Sequence, residues 1–450
     1  MQSVSIIGKR VFLSLTVLTA TAISAFSQDN SPWSRYGLGD IVPSGNIANR
    51  GMGQVGAAYS DFQTINFINP ASYSKFGSQR AILDIGLDIN SRKLSNNRGT
   101  TYRSNNAYIP YLATGFQIKP SKAKYDWGLV MGLRPLTKIS YSVIGGSTMS
   151  SGDSVISLYD GNGGTYQAFA GTAFGIKNFS VGINSGYRFG SVDYTTKVLI
   201  YNDTAADRYF KGKKVVKNRF GSPFLEAGVQ YRINIKKDTL HGKNSSLQIG
   251  AYTSLQSKMK STKGSSLETF GYDENGADVT IDTISYTDKI NGDIVFPAVY
   301  GFGLMYESVT ESLLRIGADY EMSKWGSYRY YGNSDVVQDS WTIKAGAQLL
   351  PDLTGRSKSY WSTVIYSAGF HYGLEPYKVD GNMKSYGITI GAGLPIKRFS
   401  YTEFNRSNIV NFAFEFGQRG NRQALLRENY FRFAVGFSMS DIWFIKRKYD

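Results

Sequence analysis

The chain of 450 residues contains no cysteine and only two histidines, His241 and His371. Without thiols there is no disulfide framework, no thiolate metal site and no N-terminal lipid anchor, which requires a cysteine after the cleavage site. Long apolar runs are scarce as well. The only stretch approaching the roughly 18 apolar residues of a spanning helix runs from Val11 to Phe26, behind Lys9 and Arg10. Ala25-Phe26-Ser27 offers a small-x-small cleavage site before Gln28, so residues 1–27 read as a secretory signal removed from the mature protein. Charged residues make up only 19% of the chain, and no break in pattern marks a second soluble domain. Export without an anchor or a spanning helix leaves the periplasm or the bacterial outer membrane.

What fills the chain is strict alternation of apolar and polar residues in about fourteen short segments, with 32 tyrosines and 26 phenylalanines among them. One segment sets Leu225, Ala227, Val229, Tyr231 and Ile233 on one face and Glu226, Gly228, Gln230 and Arg232 on the other. Another sets Leu83, Ile85, Leu87 and Ile89 against Asp84, Gly86, Asp88 and Asn90. A period of two with one greasy face fits lipid outside and a polar lumen inside. The expectation is an all-β fold: a transmembrane antiparallel up-and-down barrel of about 14 strands over residues 79–450, with outer-membrane lipid around it. Lys177-Asn178 joins two segments as a two-residue hairpin. Long loops are expected at about residues 135–164, 191–221 and 259–292, on the side opposite the chain ends. Trp33, Trp127, Trp341, Trp361 and Trp443 fall near segment ends, where aromatics sit at membrane interfaces.

The net charge of +16 raises nucleic-acid binding as a reading. Much of the excess lies in turns instead: Lys119, Lys122, Lys124, Lys236, Lys237, Lys243, Lys397, Arg398 and the tail Lys446, Arg447 and Lys448. Such rims face headgroups or water, so no nucleic-acid partner is expected.

Catalytic chemistry finds little support, and no enzyme is expected. His371 lies on an inward face beside Ser367 and Gly369, the position of a hydrogen-bonded lumen residue rather than a general base. The acidic run Asp273, Glu274, Asn275, Gly276 and Asp278 lacks the closing glutamate of a calcium loop and reads as a plain turn. No catalytic residue, metal site or cofactor is assigned. The inward faces carry charges of both signs: Asp84, Asp88, Arg134, Arg188, Glu226, Arg232, Arg315, Asp319, Glu321, Lys344, Glu415 and Arg432. In a lumen these must be paired or hydrated.

About fifty residues ahead of the first strand do not alternate. Fourteen strands make a barrel too wide for its wall side chains to fill, so residues 28–78 are the candidate plug. Phe62, Ile65, Phe67, Ile68, Tyr73 and Phe76 in it form a candidate apolar ligand site.

Within this segment, RGMGQVGAAYSDFQTINFINPASYS (Arg50 to Ser74) resembles the N-terminal pattern of the FadL-like long-chain fatty-acid transporters. The matching positions are Gly51, Gly53, Gly56, Ala57, Ala58, Asn69, Pro70 and Ala71. The resemblance implies a hatch inside a fourteen-stranded barrel and passive uptake of a hydrophobic small molecule. It is similar also to the FadL-like shuttle barrel of type IX secretion, which implies the alternative: a non-transporting scaffold or shuttle for other outer-membrane or exported proteins. The stretch SPWSRYGLGD (Ser31 to Asp40) is an extension beyond the transporter pattern and favours that alternative.

Overall fold

The structure is a computed structural model. It describes residues 30–442 except 78–79, 97–98, 119–123, 151, 202–209, 239–242, 355, 358, 380, 397–407 and 421–425. The expected signal sequence, His241, Trp443, the basic tail and Lys119, Lys122, Lys397 and Arg398 lie outside the described residues.

Among the described residues nineteen strands form one antiparallel sheet. They are β1 (Asp40–Ile41), β2 (Arg80–Asn96), β3 (Thr101–Tyr108), β4 (Leu112–Gln117), β5 (Tyr125–Thr148), β6 (Ser154–Ile176), β7 (Phe179–Tyr201), β8 (Lys211–Asp238), β9 (Lys243–Ser254) and β10 (Ser257–Tyr272). They continue with β11 (Asp278–Phe296), β12 (Val299–Val309), β13 (Leu313–Ser323), β14 (Arg329–Tyr330), β15 (Ser340–Leu350), β16 (Ile365–Leu374), β17 (Lys384–Pro395), β18 (Ile409–Arg419) and β19 (Leu426–Ile442). Strand β19 pairs with β2 from Leu426–Asn96 to Ile442–Arg80, which closes the barrel. Four pairs are halves of interrupted strands: β3 with β4, β9 with β10, β11 with β12 and β13 with β14. With β1 set apart, fourteen staves remain. Two interruptions hold a proline, Pro110 and Pro297, as expected of a residue that cannot donate to the ladder.

The alternation has its physical outcome in the burial of each stave. Leu225, Val229, Tyr231, Leu83, Ile85 and Leu87 face outward and are exposed, whereas Glu226, Gln230, Asp84 and Asp88 are buried inward. Ile388, Ile390, Phe302, Ile316 and Phe370 extend the same outward belt around the wall. A continuous apolar belt of this extent is stable against lipid, not water. No helix among the described residues is long and apolar enough to cross a membrane.

The expected long loops are corrected. Residues 135–164, 191–221 and 259–292 are mostly strand, because β5 to β8 run for 24, 23, 23 and 28 residues. About ten residues suffice to span a bilayer, so these staves stand well beyond it as a continuous outer sheet with β10 and β11. Staves on the opposite wall, β15 and β16, have only 11 and 10 residues. The turn at Lys177, with φ +55°, is the two-residue hairpin at the inner end. That end is not uniformly short, since residues 351–364 intervene between β15 and β16. Trp33 is corrected too: it is buried inside the outer mouth rather than placed at a lipid interface.

Candidate functional site

The described part of the N-terminal segment, residues 30–77, lies inside the barrel. Its short helix Ile47–Gly51 is capped by Asn46, whose side chain accepts from Asn49 N. Its second helical turn, Pro70–Lys75, is capped by Asn69 and has proline in its first turn, where a missing N–H costs nothing. The wall meets this backbone with glycine. A Cβ on Gly250 would collide with the Ala57 carbonyl, one on Gly346 with that of Met52 and one on Gly128 with that of Tyr73.

Polar groups on the inward faces bind the segment's main chain. Asp319 accepts from Gly56 N (2.6 Å) and Ala57 N (2.8 Å). Thr389 accepts from Gly53 N (2.8 Å) and donates to the Gly51 carbonyl (3.1 Å). Asn69 Nδ2 donates to Ala57 O (2.6 Å), Val229 O (3.2 Å) and Ala251 O (3.3 Å), joining the motif to two staves. Buried ion pairs complete the attachment: Arg50 with Asp88, Arg315 with Asp61 (2.8 Å), and Asp40 with both Arg92 (2.9 Å) and Arg419 (3.1 Å). Burial by itself opposes ionisation of Asp40, but Arg419 and Arg92 outweigh it and hold the carboxyl down at about 2.

Three layers follow along the axis. At the inner end, Ile47, Ile65, Phe67, Tyr73 and Phe76 pack with wall residues including Ile82, Tyr111, Val130, Phe169 and Phe224. The Phe67 ring lies 5.0 Å from Tyr111 and 6.4 Å from Phe169. At the outer mouth, Leu38 packs with Ile139, Phe220, Met259, Phe296, Trp325 and Tyr328, while Trp33 packs with Tyr377 and Met383. Tyr328 and Tyr377 hydroxyls donate to the Gly37 and Gly39 carbonyls at 3.1 and 2.8 Å. Between the two apolar layers lies a cavity of about 230 Å³, whose lining includes Arg134, Arg188, Glu226, Lys344, Arg419 and Arg432. Its charges are paired: Glu226 with Arg134 and Arg188 (3.2 Å each), Lys344 with Glu321 (2.9 Å) and Arg432 with Glu415 (3.1 Å).

Of the six candidate ligand residues, Ile65, Phe67, Tyr73 and Phe76 come together in the inner cluster. Ile68 borders the central cavity instead. Phe62 sits under the Arg80 guanidinium at 4.9 Å and borders a separate cleft of about 480 Å³ beside Asp61, Arg232 and Arg315. Gly51, Gly53, Asn69, Pro70 and Ala71 are all buried against the wall. His371 points inward, 3.4 Å from the Tyr430 hydroxyl and 3.6 Å from Glu415. The acidic run at residue 273 is a hairpin tip in which Asp273 accepts from Asn275 N and Ala277 N. Asp278 is turned instead to Lys197 (2.7 Å) and Lys213 (3.0 Å).

Sequence reasoning missed Asp40, Arg50, Arg92 and Arg419. Asp40 and Arg50 belong to the segment that does not alternate and Arg419 ends its strand, while Arg92 continues the inward row past Asn90, where the outward row turns polar at Ser91 and the apolar signal stops. It also read Ser31 to Asp40 only as an extension, although this stretch fills the outer mouth.

The closed fourteen-stave barrel, apolar outside, is similar in fold to solved FadL-type barrels. The solved structures agree in fold. The P. putida toluene transporter TodX is 14% identical and superposes with a TM-score of 0.53 over 90% of this chain and 100% of that one. A Pseudomonas aeruginosa FadL homologue is 13% identical, with a TM-score of 0.52 over 90% and 99%. No curated protein matches by sequence. The BamG family model matches residues 7–450, and the chain belongs to the BamG family.

Proposed function

We propose that the protein is a bacterial outer-membrane barrel, without enzymatic activity, that acts as a closed interaction scaffold or shuttle for other outer-membrane or exported proteins. The observation that carries this reading is the double closure of the lumen. In this reading the N-terminal segment, described over residues 30–77, works as a plug, with a packed apolar layer at the inner end, another at the outer mouth and paired charges between. A hydrophobic solute would have to cross that charged layer, where apolar surface gains nothing, after displacing two packed clusters. The tall outer sheet gives the barrel a surface of its own for partners. Native mass spectrometry after mild detergent extraction, paired with uptake into liposomes, tests this. Stoichiometric protein partners and no uptake are expected; a lone barrel that carries apolar adducts and passes them would sink it.

A second reading, passive uptake of a hydrophobic small molecule, is favoured by the shared fold with a protein described as a toluene transporter. In that reading Ile65, Phe67, Tyr73 and Phe76, the four candidate residues that come together in the inner cluster, form the resting site. Phe67→Ala would then change the affinity for an apolar ligand such as a long-chain fatty acid. Unchanged binding and no uptake in either form would remove it.

A further inference from the structure

We infer that the outward face of the outer sheet, where β10 and β11 overhang β7 and β8, is a binding groove for the phosphorylated sugar headgroup of an outer-leaflet lipid. The depth comes from the lipid-facing rows below it. On β7 the outward residues Val181, Ile183, Tyr187 and Phe189 are exposed and apolar, and Tyr166 stacks on Phe189 at 6.0 Å. On β8 the same face carries Leu225, Val229 and Tyr231. An aromatic row of this kind marks the edge of the hydrocarbon layer.

The chemistry changes one step above it. Register pairs Phe189 with Gly221 and Ser191 with Arg219, and on the other side Lys260 with Gly221 and Thr262 with Arg219. Arg219 therefore stands one outward position above the aromatic row, about 7 Å higher at strand spacing, with Lys217 the next position up. Lys260 is level with the row itself. That is the depth of lipid phosphates, and a guanidinium fork suits phosphate oxygens. Arg219 has a serine and a threonine as its cross-strand neighbours, so no carboxylate faces it across the ladder. Lys217 and Lys213 have Asp193 and Glu268 beside them in the ladder, and Lys258 and Lys260 share Asp293 at 2.9 and 3.1 Å.

Three register shifts between β10 and β11, with Lys289 at φ +58°, bend this hairpin. The result is a concavity of about 610 Å³ bordered by Arg219, Lys217, Ser265, Ser266, Tyr286 and Lys289, and also by the carboxylates Asp193, Glu268 and Asp288. Cations for phosphate, hydroxyls for sugar oxygens and an aromatic ring for a sugar face meet there, continuous with the surface already covered by lipid tails. A phosphorylated glycolipid satisfies all three at once, with its chains on the belt below.

The test uses the full-length protein in nanodiscs, titrated with lipid A, with a phosphate-free form of the same lipid and with inorganic phosphate. Native mass spectra are expected to show lipid A retained about tenfold more than its phosphate-free form, a preference lost in Arg219→Gln/Lys217→Gln and kept in Lys243→Gln at the inner end. Heat-modifiable migration on gels verifies that each variant is folded. Equal retention of both lipids, an unaltered double variant, or displacement by millimolar inorganic phosphate would each overturn the assignment. Absence of protein partners from the gently extracted wild-type protein, with its lipid A preference intact, would count against the scaffold reading alone, so the two proposals fail separately.

Discussion

Asn69 concentrates the residue-scale logic, since one side chain caps a turn and ties three carbonyls from the plug and two staves. Asn69→Ala would leave those carbonyls short of a donor in a buried site. A loss of about 2 kcal/mol is expected, seen as a lower temperature of conversion from the folded to the unfolded gel band. Gly250→Val should be comparably damaging, by about 1–3 kcal/mol, because the added side chain meets the Ala57 carbonyl. Asp40 supplies a pH dependence. Its folded-state value of about 2 lies below the ordinary 3.8, so its contribution is present above about pH 4 and is lost as pH falls from there toward 2. Unfolding measured across that window should flatten in Asp40→Asn; an identical slope would show that Arg92 and Arg419 do not act through it. The inward charges were legible as a set from their period. Their partners were not, because Asp40 lies more than 350 residues from Arg419 in a chain read one segment at a time.

At the scale of elements, the outer hairpins separate what pattern can show from what it cannot. A stave buried in lipid on one face must alternate, and β8 does so from Leu225 to Ile233. Its outer part, from Lys211 to Lys217, is partly or fully exposed on both faces and carries no such constraint, so the same strand reads as loop once it leaves the membrane. The β10–β11 hairpin pairs beyond itself with β8 and, at its base, with β14. Replacing Gly264–Thr287 by a short turn should therefore leave the barrel folded, with unchanged heat-modifiable migration, while removing the groove. The N-terminal extension behaves in the opposite way. Deleting residues 30–45 removes Trp33, Leu38 and Asp40 from the outer mouth, and ions should then pass where the intact protein shows no steady current in a planar bilayer. A silent deletion variant would mean that the inner cluster seals the barrel unaided.

For the whole molecule, the proposed plug makes one demand on function: on that reading solute passage requires residues 30–77 to move within the lumen, whereas surface binding does not. Hydrogen exchange should therefore find the amides of Gly53, Gly56 and Ala57, bound to Thr389 and Asp319, among the slowest in the protein, opening only with the barrel. Rapid exchange there would restore transport as the leading reading. The sequence by itself determined the class, the stave number and which face meets lipid, because a bilayer imposes a local, residue-by-residue pattern on any strand that crosses it. Only the tertiary structure decided that Ser31 to Asp40 closes the mouth, that the plug aromatics are distributed over three environments, and that the outer staves bend into a groove. Those outcomes depend on contacts between segments far apart in the chain, and no local periodicity encodes which distant partner will fill a given space.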